Sequence, residues 1–343
     1  MKRILTIFAL AFGLCLAALP LHALTQINGA GATFPYPIYS KWFSEYHKKN
    51  PEVQINYQSI GSGGGIRQFT DKTVDFGASD SPMTDELMKK AGAPVVHVPT
   101  VLGAVVVTYN LAGVEKGLKL NSELVSDIFQ GKVTKWNDAK ITKLNPKLKL
   151  AGDILVVHRS DGSGTSAIFT DYLSKVSPSW KEKVGSGTAV NWPIGLGGKG
   201  NEGVSGLVKQ TPGSIGYVEL IYAESNKLPY AAVQNKAGEF VLPSLKSVTA
   251  AADGALKTMP EDFRVSITDA QGKASYPISG FTYLLVWKTI GDVQKGTELV
   301  KFLKWAMKDG QGYAAVFHYA PLPKSLVTKI EEKVKGIEVK KVN

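Results

Sequence analysis

The chain has 343 residues, 44% hydrophobic and 20% charged, with a formal net charge of +11. Those proportions exclude a disordered chain, and the length exceeds what one core ordinarily holds, so two domains are expected. The positive balance favours anionic ligands. The lysines are scattered, densest from Lys329 to Lys341, and do not alternate with evenly spaced aromatics, which argues against nucleic acid as a partner.

The first 23 residues read as a secretory signal, with Lys2 and Arg3 ahead of the uncharged run Ile4 to Pro20 and cleavage expected near Ala23. The run is short for a membrane span. Cys15, the only cysteine, lies inside it after Leu14, a poor context for lipid attachment, so the exported chain is expected to hold no disulfide.

After the signal, β-branched runs alternate with helical stretches, the pattern of an α/β protein. Pro37 to Lys49 places Ile38, Trp42 and Tyr46 on one helix face, and Val53–Tyr57 and Val74–Ala78 read as strands. Thr84, followed by Asp85 and Glu86, reads as a capped helix start. The apolar run Gly103–Tyr109 suits a strand covered on both faces. Asn121–Phe129 reads as a helix, Ile154–His158 as a buried strand, and Ser163–Leu173 as a helix opening with small residues. Ser279–Trp287 is a second long apolar strand. Thr297–Lys308 is an amphipathic helix with Leu299, Phe302, Leu303 and Met307 on one side.

Three segments place small residues and hydroxyls just ahead of a helical pattern: Gly29 to Phe34, with Thr33; Gly61 to Gly65, with Ser62; and Asp161 to Ser166, with Ser163, Gly164 and Thr165. A helix start carries unpaired N–H groups and a partial positive charge, glycine admits close approach, and Ser or Thr adds a donor. One such segment is an ordinary capped turn. Three in one chain point to an anion site at the carboxyl ends of strands. Arg159 either pairs with Asp161, or grips an oxyanion while Asp161 orients it, and both can hold. Asp80 is either a turn aspartate or an acceptor for an oxyanion that keeps a proton at neutral pH, as monohydrogen phosphate does and sulfate does not. The phosphate-loop pattern fails around Gly198-Lys199, where Pro193 and Gly200 stand at required positions, and the nucleophile-elbow pattern fails at Asp161. With five histidines, neither a metal spacing nor a catalytic triad is evident.

Gly29–Trp42 (GAGATFPYPIYSKW), Val74–Met83 (VDFGASDSPM), Arg159–Ser166 (RSDGSGTS), Trp192–Val204 (WPIGLGGKGNEGV) and Ile215–Leu220 (IGYVEL) resemble, in order, the periplasmic phosphate-binding proteins of high-affinity phosphate ABC importers. The resemblance spans essentially the whole chain after the signal. It implies an α/β, two-lobed periplasmic-binding-protein fold, type II-like, with lobe one at residues 24–104 and 280–343 and lobe two at 105–279. Two crossing strands, Gly103–Tyr109 and Ser279–Trp287, would join the lobes around a ligand cleft. It further implies that phosphate is held by Thr33 and Phe34 through backbone N–H, and by Ser62, Asp80, Arg159, Ser163, Gly164 and Thr165, with Asp161 orienting the arginine. Delivery to a membrane permease, no catalysis, no metal or cofactor, and a monomer in the periplasm are the corresponding expectations. His158 stands where a second arginine can occur, and Gly63 where a second serine can. Trp192–Val204 is assigned to lobe-two structure or lobe closure, because its glycines follow no clear phosphate logic.

Overall fold

Fifteen consecutive buried residues, Val95–Tyr109, form the strand around which the molecule is organised. The sequence reading placed its start at Gly103; the earlier half was missed because His97, Pro99 and Thr100 interrupt the apolar run. In this computed structural model, which describes residues 24–341, the strand is β4 of one eight-stranded sheet. The signal segment lies outside the described residues.

On one side stand Thr25–Gly31 (β1), Val53–Ser59 (β2) and Phe76–Ser79 (β3), all parallel. Ser279–Trp287, as expected from the sequence, lies antiparallel between β3 and the first half of β4. On the other side Leu155–Arg159, Leu196–Gly198 and Ser214–Glu219 are parallel, and Ser214–Glu219 pairs antiparallel with the second half of β4. Pairing along β4 changes partner between Ala104 and Val105, which face Ser279 and Glu219 respectively. The crossing is therefore made by β4 itself and by the chain entering the sheet at Ser279, while the rest of Ser279–Trp287 belongs to one side. These directions aim two sets of carboxyl ends at each other, with Gly31 and Ser79 on one side and Arg159, Gly198 and Glu219 on the other. Ligands of open α/β sheets gather at such ends.

Each side carries its own core. Helix Tyr36–Lys49 buries Ile38, Tyr39, Trp42, Phe43 and Tyr46. Phe43 and Tyr46 meet Phe302 of the helix Val293–Lys308, whose buried residues include Leu299, Leu303 and Met307. On the other side Phe169 stacks on Tyr217 at 4.3 Å between ring centres, and Trp192 stacks on both Tyr217 and His158. His158, at the place of a possible second arginine, is thus packed against an indole. Thr84 caps the helix Asp85–Ala91 by accepting from the Leu87 N–H, and Asn121 caps Ser122–Phe129 in the same way. Leu155, expected in a buried strand, is 44% exposed because it opens the strand at the far end from the cleft.

Candidate functional site

The three small-residue segments meet where the opposed strand ends converge, but only the third is built as the sequence suggested. There the helix Gly164–Val176 begins directly after Ser163, whose hydroxyl caps it by accepting from the Ser166 N–H at 2.9 Å. The first intrahelical bond is from Ala167 N–H to the Ser163 carbonyl, so the N–H groups of Gly164 and Thr165 point off the helix end. In the first segment Gly29, Ala30 and Gly31 belong to β1 rather than to a loop. The turn is confined to the residues after them, and among the described residues the N–H groups of Thr33 and Phe34 have no protein acceptor. In the second segment the helix Ser62–Thr70 starts at Ser62, so Gly63, Gly64 and Gly65 lie within it. Their job there is close approach: a Cβ on Gly65 would sit 2.4 Å from the Gly31 Cα. Gly65 lets the helix press its first turn onto β1, and Gly63 lets that turn approach Gly162 on the other side, where a Cβ on Gly63 would sit 3.1 Å from the Gly162 Cα.

The side chains expected to face the ligand are buried, with exposures of 2% for Thr33, 0% for Ser62, 4% for Asp80, 2% for Arg159 and 0% for Ser163 and Thr165, while Asp161 behind them is half-buried. Phe34 packs its ring against Gly103 of β4 and against Tyr319, whose hydroxyl donates to the Phe34 carbonyl at 2.5 Å. These contacts hold the turn through the ring and carbonyl of Phe34 and do not engage its N–H. The two sides are in contact: the Gly63 N–H donates to the Gly162 carbonyl at 2.9 Å, Tyr222 donates its hydroxyl to the Thr33 carbonyl at 2.6 Å, and Arg264 reaches Asp85 at 2.7 Å and the Met83 carbonyl at 3.0 Å.

Arg159 makes a two-pronged pair with Asp161, Nε to Oδ1 at 2.8 Å and Nη2 to Oδ2 at 2.6 Å. Its remaining nitrogen, Nη1, donates to Thr165 Oγ1 at 3.2 Å. Both alternatives left open for Arg159 are thus compatible: the carboxylate fixes the plane of the guanidinium and leaves one edge free for an acceptor. Burial by itself raises the Asp161 carboxyl, but the guanidinium and the Gly200 N–H outweigh it and hold the group below the usual carboxylate range.

Asp80 has the opposite environment. Its Oδ1 accepts from Thr282 Oγ1 at 2.8 Å, and its backbone N–H donates to Ser62 Oγ at 3.2 Å. Burial pushes its carboxyl up to about 7, against the Thr282 hydrogen bond, the charge of Arg159 and the Ser62 hydroxyl, all of which pull it down. It is the acceptor among donors.

Two residues at the site were missed. Thr282 lies in an apolar strand, and only pairing between distant strands places its hydroxyl on Asp80. Asn201 comes from Trp192–Val204, the segment earlier assigned to lobe-two structure or closure. Its Nδ2 donates to Thr33 Oγ1 at 2.7 Å and to Thr165 Oγ1 at 3.0 Å, spanning the two sides. The glycines explain its placement: Gly200 adopts φ +72, which favours glycine, and its N–H docks on Asp161 Oδ1 at 3.0 Å. An Asn among glycines at a helix start was the available signal.

A buried pocket with a forked cation, several hydroxyls, free helix-end N–H groups and one carboxyl of raised affinity for protons suits a small, partly protonated oxyanion. Comparison with known proteins runs the same way. A family model described as the PBP superfamily domain matches residues 19–309. A phosphate-binding protein PstS of Xylella fastidiosa is 49% identical over 308 residues, covering 89% of this chain and 84% of that one. A phosphate-binding protein PstS of Haemophilus influenzae is 45% identical over 324 residues, covering 94% and 96%. Among solved structures, a high affinity periplasmic phosphate-binding protein bound with phosphate (PfluDING) superposes with a TM-score of 0.72 at 20% identity, over 90% of this chain and 93% of that one. A phosphate binding protein from Stenotrophomonas maltophilia gives 0.69 at 20% identity, over 90% and 93%. At that identity the superpositions establish the fold.

Proposed function

We propose that this chain, which belongs to the PBP superfamily and within it to the family of PstS phosphate-binding proteins, captures inorganic phosphate between its two lobes and hands it to the membrane permease of a phosphate ABC importer. The observation that carries the reading is the pairing of two unlike carboxyls across one buried site, Asp161 spent on Arg159 and Asp80 left to accept a proton.

In this reading Thr33 and Phe34 donate their backbone N–H groups to phosphate oxygens. Ser62 and Ser163 donate hydroxyls, Gly164 and Thr165 donate from the helix end, and Arg159 supplies the cation with Asp161 orienting it. Asp80 accepts the proton of monohydrogen phosphate. Sulfate, lacking that proton, would set two acceptors against each other in a dry site, and sites of this kind discriminate by about 10⁴-fold or more. Lobe one comprises 24–104 and 280–343 and lobe two 105–279, a division supported by the change of partner along β4 between Ala104 and Val105. Closure of the lobes over phosphate is the state the permease reads. The chain acts in the periplasm as a monomer after removal of its signal near Ala23, needs no cofactor, and performs no catalysis.

The test is calorimetric titration of the purified, ligand-stripped protein with phosphate and then sulfate at neutral pH. Micromolar or tighter one-to-one phosphate binding with no sulfate heat is expected. A folded, ligand-free sample that takes up no phosphate overturns the proposal.

A further inference from the structure

Asn201 is fully buried, and both its amide hydrogens and its amide oxygen have partners. The backbone N–H of Glu219 donates to Oδ1 at 2.9 Å. A backbone N–H can only donate, so this bond settles which end of the amide is oxygen and directs the NH2 group into the cleft. The two amide hydrogens then serve Thr33 Oγ1 and Thr165 Oγ1, one on each side of the cleft.

A threonine hydroxyl has one proton to give and two lone pairs to fill. Thr33 Oγ1 accepts from Asn201 Nδ2 at 2.7 Å and from the Asn201 backbone N–H at 3.2 Å. Thr165 Oγ1 accepts from Asn201 Nδ2 at 3.0 Å and from Arg159 Nη1 at 3.2 Å. Both hydroxyls have their accepting positions occupied by obligate donors, so each has only its own O–H left to offer.

We propose that Asn201 is a positioning residue that turns the hydroxyls of Thr33 and Thr165 into fixed donors toward the ligand, so that the oxygens bound there must be unprotonated and the ligand proton is directed to Asp80. This deepens the phosphate reading and rests on it. It explains how a site built largely from hydroxyls, groups that can donate or accept, enforces one protonation pattern. Without Asn201 either hydroxyl can rotate and accept, and the site no longer distinguishes which phosphate oxygen carries the proton. Asp161 supports the same device by docking the Gly200 N–H immediately before Asn201.

The test is a mutant cycle read by phosphate titration, with thermal unfolding confirming that each variant is folded. Asn201→Ala in the native background is expected to weaken phosphate binding about 30-fold, the scale of two or three hydrogen bonds. In a Thr33→Val background the same change is expected to cost markedly less, because one of the hydroxyls it orients is gone. Equal factors in both backgrounds would mean that Asn201 acts independently of the Thr33 hydroxyl, and would overturn the inference; whether it orients that hydroxyl or only ties the two sides through it is read from the proton positions. A neutron structure of the deuterated, ligand-free protein provides the second readout: deuterons on Thr33 Oγ1 and Thr165 Oγ1 should point away from Asn201 into the cleft, and deuterons on Asn201-facing positions would overturn it. Failure of the native protein to bind phosphate would sink the function proposed above, while the deuteron directions would still decide the orienting role.

Discussion

The two sides of the cleft each bring one aspartate, and the two are treated in opposite ways. Asp161 lies two residues from Arg159 on the same strand-to-helix turn, so its charge is neutralised where it stands, and its carboxyl is held down. Asp80 sits across the cleft at the end of β3 with hydroxyls as its nearest partners, and burial pushes its carboxyl up to about 7. The same side chain is an anchor for a cation on one side and, on the other, a carboxyl that burial makes readier to hold a proton. The difference lies in whether a cation shares its turn. In the proposed reading both sides supply donors, one side adds the cation and the other adds the carboxyl that reads the ligand proton.

The largest effect expected from breaking this contrast is at its cation. Arg159→Ala removes a charge-assisted donor to the ligand and leaves the half-buried Asp161 without its partner, so phosphate affinity should fall by roughly 10³-fold or more in titration. Near-native affinity would make Arg159 a structural partner of Asp161 and nothing else. Next comes Gly164→Ala. Its Cβ would lie 2.3 Å from Ser62 Oγ and 2.6 Å from Asp80 Oδ2, which wedges the side carrying Asp80 away from the side carrying Arg159. Affinity should drop on the order of 10²-fold, since a displacement of about 1 Å carries that scale of loss, and X-ray scattering should show a more open particle. Unchanged affinity would mean that the sides need not approach this closely.

Asp80→Asn should sharpen the comparison rather than abolish binding. An amide can donate to sulfate, so a sulfate heat should appear while phosphate weakens about tenfold, the scale of one hydrogen bond. Continued rejection of sulfate by this variant would remove Asp80 from the selectivity argument.

The smallest effect is on stability without ligand. Because the Asp80 carboxyl is raised in the folded state, its contribution is fully present below 3.8, the ordinary value, and is lost as pH rises toward about 7. His97, buried and pushed down to about 4, acts the other way, losing its contribution as pH falls below 6.5. The difference between native and Asp80→Asn unfolding curves therefore isolates Asp80, and the native protein should lose stability relative to the variant between about pH 4 and pH 7. A constant difference across that window would mean that Asp80 is not buried as a proton carrier.

Much of this was legible in the sequence. Helix and strand periodicity located the helices Tyr36–Lys49 and Val293–Lys308 and the strand Ser279–Trp287 within a few residues, because local apolar spacing is what those elements bury. Glycine and hydroxyl runs marked three segments that do meet at the cleft, although only the third is a capped helix start of the kind expected, because N–H exposure at a helix start is a local property. What the chain by itself could not decide was anything that depends on separate strands meeting. Val95–Leu102 became strand although it holds Pro99 and a buried His97, since Phe281–Trp287 pairs along its length. Thr282 acquired a role only when its strand settled beside β3, and Asn201 only when the two sides of the cleft came together over Thr33 and Thr165. A residue's type and spacing determine what it can donate or accept; which partner stands within 3 Å of it is settled by the tertiary structure, because hydrogen bonds are short-ranged and partners such as Asp80 and Thr282 lie 202 positions apart in the chain.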